Sequence, residues 1–181
     1  MRRCVVVLVA AVMNLGIPGE PLSSAQRPTG NDDEWAPVRF LLGTWEGTIS
    51  GQPGNGTSAR EYHLVLGNRF IEVRNRSTDP PQERNSKGEV HEDIGYISYD
   101  RNRKLFVLRQ FHTEGFVNTY VAMPANPLVF TSEAIEHIPS GWRARETYRT
   151  VSADECVETF ELAEPTKDYA TYSETRLKRP R

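Results

Sequence analysis

The chain has 181 residues, a formal charge of −2 and a sequence pI near 6.1, with 38% hydrophobic and 25% charged residues. That length supports one domain with a substantial core. The near-neutral charge gives no electrostatic footprint for nucleic acid or for an anionic membrane surface.

In chain order, Arg2 and Arg3 precede an apolar run over residues 4–12, extended by Met13 and Leu15, and Ser23-Ser24-Ala25 supplies small residues for cleavage. The pattern predicts a signal peptide over 1–25, and so a secreted or periplasmic protein. The run is too short to span a bilayer, so the mature form carries no membrane anchor. Cys4 starts the apolar run instead of following it and is discarded with the leader. That leaves Cys156 alone, so no internal disulfide is available. Loss of Arg2, Arg3 and Glu20 makes the net charge one unit more negative.

Residues 26–33 read as a polar leader to one domain over 34–181. Residues 35–42 form a short helical or 3₁₀ segment that tolerates Pro37 near its start. From Gly43 onward, ten runs rich in Val, Ile, Tyr, Phe and Thr follow, at 44–50, 58–66, 69–77, 90–99, 105–112, 116–123, 128–136, 142–151, 155–161 and 169–178. Turn residues separate them, and 78–88 is the one long loop. This spacing predicts an all-β, ten-stranded, antiparallel up-and-down barrel, since closure removes the exposed edges of such a meander.

Turn-centred registers suggest where the chemistry lies. A loop centred on Arg101-Asn102 sets His91 opposite His112 and Asp93 opposite Gln110. The opposite face, with Val90, Ile94, Tyr96, Val107 and Phe111, is more apolar and is assigned to the lumen. That face also carries Glu92 and Arg109. A Glu114-Gly115 turn then brings Asn118 opposite Phe111 and Tyr120 opposite Arg109.

Glu92, Arg109, Asn118 and Tyr120 are therefore the candidate ligand site, with the Arg109 guanidinium as anchor for a carboxylate-like head group. An internal Glu92–Arg109 ion pair is the alternative use of the same charges, and a bulged three-residue loop would flip the register and separate the four. His91 and His112 are the candidate metal or haem ligands, placed on the outer wall. Charged positions elsewhere, including Arg60, Arg143, Arg145, Glu146 and Arg149, are assigned mostly to that wall. Asn55 and Asn75 fit the glycosylation acceptor pattern. No nucleophile has a supporting motif, and Cys156 has no activating partner, so the residues point away from catalysis.

The stretch Leu42-Gly43-Thr44-Trp45-Glu46-Gly47, a Gly-x-Trp after a short helix, resembles the calycin superfamily and within it nitrobindin-type haem barrels. Val65-Leu66-Gly67-Asn68-Arg69-Phe70 and Gly95-Tyr96-Ile97-Ser98-Tyr99-Asp100 are similar to a related family of bacterial secreted proteins. The resemblance covers about residues 35–178. It implies that Trp45 closes the base of the barrel and stacks on Arg176, and that the lumen holds a small hydrophobic or amphipathic molecule. Nitrobindin-type barrels imply haem and peroxynitrite isomerisation through a histidine near the chain's end. Residues 169–181 contain none, so haem would have to use His91 or His112. A barrel with a filled core and a purely structural role is the third expectation. The residues themselves imply no cofactor, and they leave the oligomeric state open.

Overall fold

The computed structural model describes residues 33–181 apart from Arg84. The expected signal peptide and all but the last residue of the polar leader lie outside that range. A 3₁₀ helix, Ala36–Leu41, carries Pro37 in its first turn, where a missing N–H costs nothing. Ten strands follow: β1 (Gly43–Gly51), β2 (Gly54–Val65), β3 (Phe70–Asp79), β4 (Glu89–Asp100), β5 (Leu105–His112), β6 (Val117–Ala122), β7 (Leu128–Glu136), β8 (Arg143–Ser152), β9 (Glu155–Ala163) and β10 (Ala170–Lys178). Each pairs antiparallel with its neighbours in sequence, and β1 pairs with β10, so the sheet closes as a ten-stranded meander barrel. The expected architecture is the one that forms.

Closure divides the barrel into two ends. The 3₁₀ helix covers the end holding the β2–β3, β4–β5 and β8–β9 turns. Trp35 Nε1 donates to the Asn68 carbonyl at 3.0 Å, and Arg101 pairs with Glu34. Trp35, Val38, Leu41, Trp45, Ile71, Ile97, Phe106, Leu108, Leu128, Phe130 and Leu177 fill this base and are buried. The opposite end, bounded by the β1–β2, β5–β6 and β7–β8 turns, opens into a cavity lined by Pro53, Phe116, Pro139 and Trp142.

Two turns set registers that differ from those expected. At β4–β5 the Asp100 carboxylate accepts from the backbone N–H of Asn102 and Arg103, both at 3.0 Å. This Asx-type turn closes with Lys104 at φ 56° and pairs Asp100 with Leu105, so His112 faces Asp93 and not His91. At β5–β6 the His112 N–H donates to the Phe116 carbonyl and Gly115, at φ 89°, lies in the left-handed region. The resulting three-residue loop sets Asn118 opposite Gln110, one residue from the expected pairing.

That single step puts Asn118 and Tyr120 inside the barrel and leaves Glu92 and Arg109 outside. The apolar face assigned to the lumen is in fact the outer wall, where Val90, Tyr96 and Phe111 are 46%, 38% and 42% exposed. Side-chain contacts hold it: across strands Tyr96 Oη donates to Glu72 at 3.2 Å, and along β5 the Arg109 guanidinium lies 5.8 Å from the Phe111 ring centre.

Candidate functional site

The base explains why the chain carries Gly43 and Trp45. Trp45 is buried and donates its indole N–H to the Leu41 carbonyl at 2.7 Å. The guanidinium over its ring, at 4.2 Å, belongs to Arg179, not Arg176. Along β10, Thr175 and Leu177 point inward, so alternation turns Arg176 outward to Glu155 and brings Arg179 under the barrel. Arg179 also donates to the Leu42 and Phe40 carbonyls at 2.9 and 3.1 Å. Gly43 leaves room for it: a Cβ there would stand 2.7 Å from Arg179 Nη1, on backbone at φ +105°.

Above the base the lumen turns polar. Arg60 on β2 forms an ion pair with Glu158 on β9, both buried. Arg60 Nε also donates to Ser58 Oγ at 3.3 Å. Tyr148 Oη donates to Glu146 at 3.0 Å, and Tyr62 and Tyr120 complete the ring. Burial, reinforced by the Glu158 charge, lifts the Glu146 carboxyl to about 8, so at neutral pH it is largely protonated. Burial also pushes the Tyr120 and Tyr148 phenols well above their ordinary value. For Arg60, burial works against the charge, but the attraction of Glu158 keeps its pKa well above normal. Cys156, buried beside this layer, has its thiol raised to about 11 by burial and is an unreactive core residue.

Nearer the mouth, β4 and β5 bring His91, Asp93 and His112 together on the inner face. His91 Nε2 lies 3.3 Å from His112 Nδ1 and 3.6 Å from Asp93 Oδ2. His91 Nδ1 meets Glu114 Oε1 at 2.7 Å, and His112 Nε2 meets the Asn118 amide at 3.2 Å. Asn75 Nδ2 donates to both Asp93 oxygens, at 2.9 and 3.1 Å. His112 stacks on Phe116 with ring centres 4.1 Å apart. The Asp93 carboxylate, with Glu114 adding to it, outweighs burial and raises His91 to about 9, whereas burial lowers His112.

These layers line one cavity of about 610 Å³. Its walls include Ile135, Trp142, Phe160, Leu162 and Tyr172. Among the described residues its polar lining holds six carboxyl groups, from Asp79, Glu89, Asp93, Glu114, Glu146 and Glu158, against the Arg60 guanidinium and the His91 imidazole. Of the four residues expected to form a ligand site, Asn118 and Tyr120 line this cavity, and Asn118 Nδ2 donates to Tyr120 Oη at 2.8 Å. Glu92 pairs with Arg76 and Arg109 with Glu136 on the outer wall, so the expected Arg109 anchor does not face the lumen. Conversely, His91 and His112 lie inside, where an outer-wall position was expected.

Arg60, Glu146 and Glu158 were not singled out for the lumen from the sequence. The available signal was parity: Arg60 shares a face with Tyr62, and Glu146 with Tyr148, and each aromatic is buried.

Haem, implied by the nitrobindin resemblance, needs an imidazole nitrogen facing open, apolar space wide enough for a macrocycle. His91 and His112 instead aim at each other and at Asp93, with their remaining nitrogens engaged by Glu114 and Asn118. The space beside them carries buried charges. This donor set does not fit an axial haem ligand.

No family model matches the chain, and neither does any curated protein. Among solved structures, the crystal structure of Rv2717c from M. tuberculosis matches with a TM-score of 0.63 at 16% identity, covering 83% of this chain and 99% of that one. A de novo designed fluorescence-activating β-barrel matches with a TM-score of 0.42 at 15% identity, over 78% of this chain and 95% of that one. At these identities the likeness to Rv2717c concerns the fold alone, a ten-stranded antiparallel barrel in this chain.

Proposed function

We propose that the barrel binds a small amphipathic molecule, taken up through the open end, whose head group donates hydrogen bonds and carries positive charge. The observation that carries this reading is the excess of carboxylates in a cavity whose upper walls are aromatic and aliphatic. The one guanidinium inside is already neutralised by Glu158, which argues against a carboxylate ligand. Glu146 is the group best suited to meet a cationic head: it lines the cavity and is held protonated by burial and the neighbouring Glu158 charge. Binding an ammonium beside it favours the carboxylate, so uptake is coupled to proton release. The tail would pack on Phe160, Leu162 and Trp142.

The test is native mass spectrometry of gently purified protein, followed by thermal-shift titration with matched alkylamines, alkyl carboxylates and haemin. The expected result is a co-purifying small mass and a rise in Tm with alkylamines that is lost in Glu146→Gln. Stronger stabilisation by carboxylates would overturn the head-group assignment. A Soret band that vanishes in His112→Ala would replace the reading with haem binding, and a clean apo mass with no stabilising ligand would favour a structural barrel. The leader over 1–25 belongs to the same reading, in which the barrel acts in the secreted or periplasmic space. A mature N terminus at or near Gln26 supports it, and intact Met1 in the mature protein sinks it.

A further inference from the structure

We propose that His91, Asp93 and His112 form a binding site for a divalent first-row transition-metal ion in the cavity wall. The three donor atoms lie within 4.8 Å of one another. Tetrahedral ligands at Zn–N and Zn–O bond lengths of roughly 2.1 Å stand about 3.4 Å apart. His91 Nε2 is 3.3 Å from His112 Nδ1 and 3.6 Å from Asp93 Oδ2, so two of the three edges already have that length. Donors converging on one point suit a bare ion, for the same reason that they leave no room for a macrocycle.

Each ligand also has the outer partner that metal sites need. Glu114 accepts from His91 Nδ1, which orients the ring so that Nε2 faces the other donors. Asn75 holds the Asp93 carboxylate. Asn118 abuts His112 Nε2, and its Oδ1 is buried without a hydrogen-bond partner. Exchanging the amide's oxygen and nitrogen lets Oδ1 accept from His112 Nε2–H, the tautomer that frees Nδ1 for a metal. Tyr120 Oη, 2.8 Å away, then donates to the same oxygen. One rotation thus gives Oδ1 two donors and prepares the ligand, with Nδ2 taking the buried place that Oδ1 leaves.

Two imidazoles and one carboxylate select zinc, iron(II), cobalt(II) or copper(II) over magnesium and calcium, which prefer all-oxygen shells. Three protein ligands leave at least one coordination position, and these residues line the cavity, so that position is open to whatever enters it. The proposal does not depend on the identity of the lumen ligand.

The test is titration of tag-free, full-length protein with Co²⁺, read by its visible d–d absorption, and competition by Zn²⁺. The expected result is one equivalent of Co²⁺ with tetrahedral or five-coordinate bands, displaced by Zn²⁺ and untouched by Mg²⁺ or Ca²⁺. His112→Gln and Asp93→Asn should lose the bands while keeping the wild-type circular dichroism spectrum. Glu114→Gln, a change at a partly exposed side chain, should keep the spectrum but weaken affinity roughly 10- to 100-fold, which decides the matter even if a ligand variant misfolds. A doubly substituted His63→Gln/His137→Gln chain should bind normally. Absence of stoichiometric binding, or bands that persist in both His112→Gln and Asp93→Asn, would overturn the proposal.

Discussion

At the closed end, Trp45, Phe106, Phe130 and Leu177 meet in a packed apolar layer beneath a 3₁₀ helix. Further from that end, inward positions of β2, β5, β6, β8 and β9 hold Arg60, Gln110, Asn118, Glu146 and Glu158. Both layers arise from one alternation of side chains, yet their energetics differ. The base gains from removing apolar surface from water, and it tolerates polar atoms only where a carbonyl is at hand, as for the Trp45 indole. The middle layer takes charges out of water and recovers that cost through mutual pairing, which seldom yields net stability. A layer that orders many polar groups around a cavity at little net gain in stability is consistent with the proposed binding role.

Substitutions can break this contrast. Trp45→Ala should be the most damaging, costing about 3–5 kcal/mol in urea or thermal denaturation, because it opens a cavity and deprives Arg179 of its ring. Arg60→Met should also cost about 3–5 kcal/mol by leaving Glu158 buried and unpaired. The double variant Arg60→Met/Glu158→Leu should recover most of that loss. If the double variant stays as unstable as the single one, the middle layer is a stabilising element after all and the contrast fails.

An effect spread over several pH units follows from Glu146, whose charged and titratable neighbours in the lumen are Arg60, Tyr62, Tyr148, Glu158, Tyr120 and Asp93. Its folded pKa of about 8 stands above the ordinary 4.5, so the folded state holds the proton more tightly than the unfolded chain. Its contribution is therefore complete below about pH 4.5, declines as pH rises toward 8, and levels off above that. The decline is on the order of 1 kcal/mol per pH unit. Glu146→Gln should flatten this segment of the stability–pH curve. An unchanged slope would show that the carboxyl is ionised in the fold. The smallest effect is expected at Arg109→Ala, within about 0.5 kcal/mol and without influence on lumen binding, since its pair with Glu136 lies on the outer wall.

The architecture was legible because short β-rich runs and turn residues mark strands locally, and every expected run corresponds to a strand. The site was legible only in pieces. Asn118 and Tyr120 face the lumen as expected, whereas Glu92 and Arg109 lie on the outer wall although their apolar neighbours suggest the reverse. In a barrel with a polar cavity the usual inference that the more apolar face is buried inverts, since the lumen can satisfy polar groups among themselves and the outer wall can carry Tyr96 and Phe111. The registers depended on two turns whose length no periodicity reveals: the Asp100 cap, and Gly115 in its left-handed conformation. Likewise, the arginine beneath Trp45 was expected three residues too early, because the inward parity along β10 fixes which arginine reaches the base.

The pairing of β1 with β10 has a consequence for how such a chain comes into being. Gly47 lies against Leu177, and Arg179 braces carbonyls at the start of the domain. During synthesis, nine strands can zip up in sequence, each against the one before it, with only local loops to close. The final seam alone joins residues more than a hundred positions apart, so until β10 has emerged from the ribosome the growing sheet keeps two open edges and an unbraced base. The vulnerable interval in folding is therefore the one before β10 docks, when one strand converts an open ribbon into a vessel.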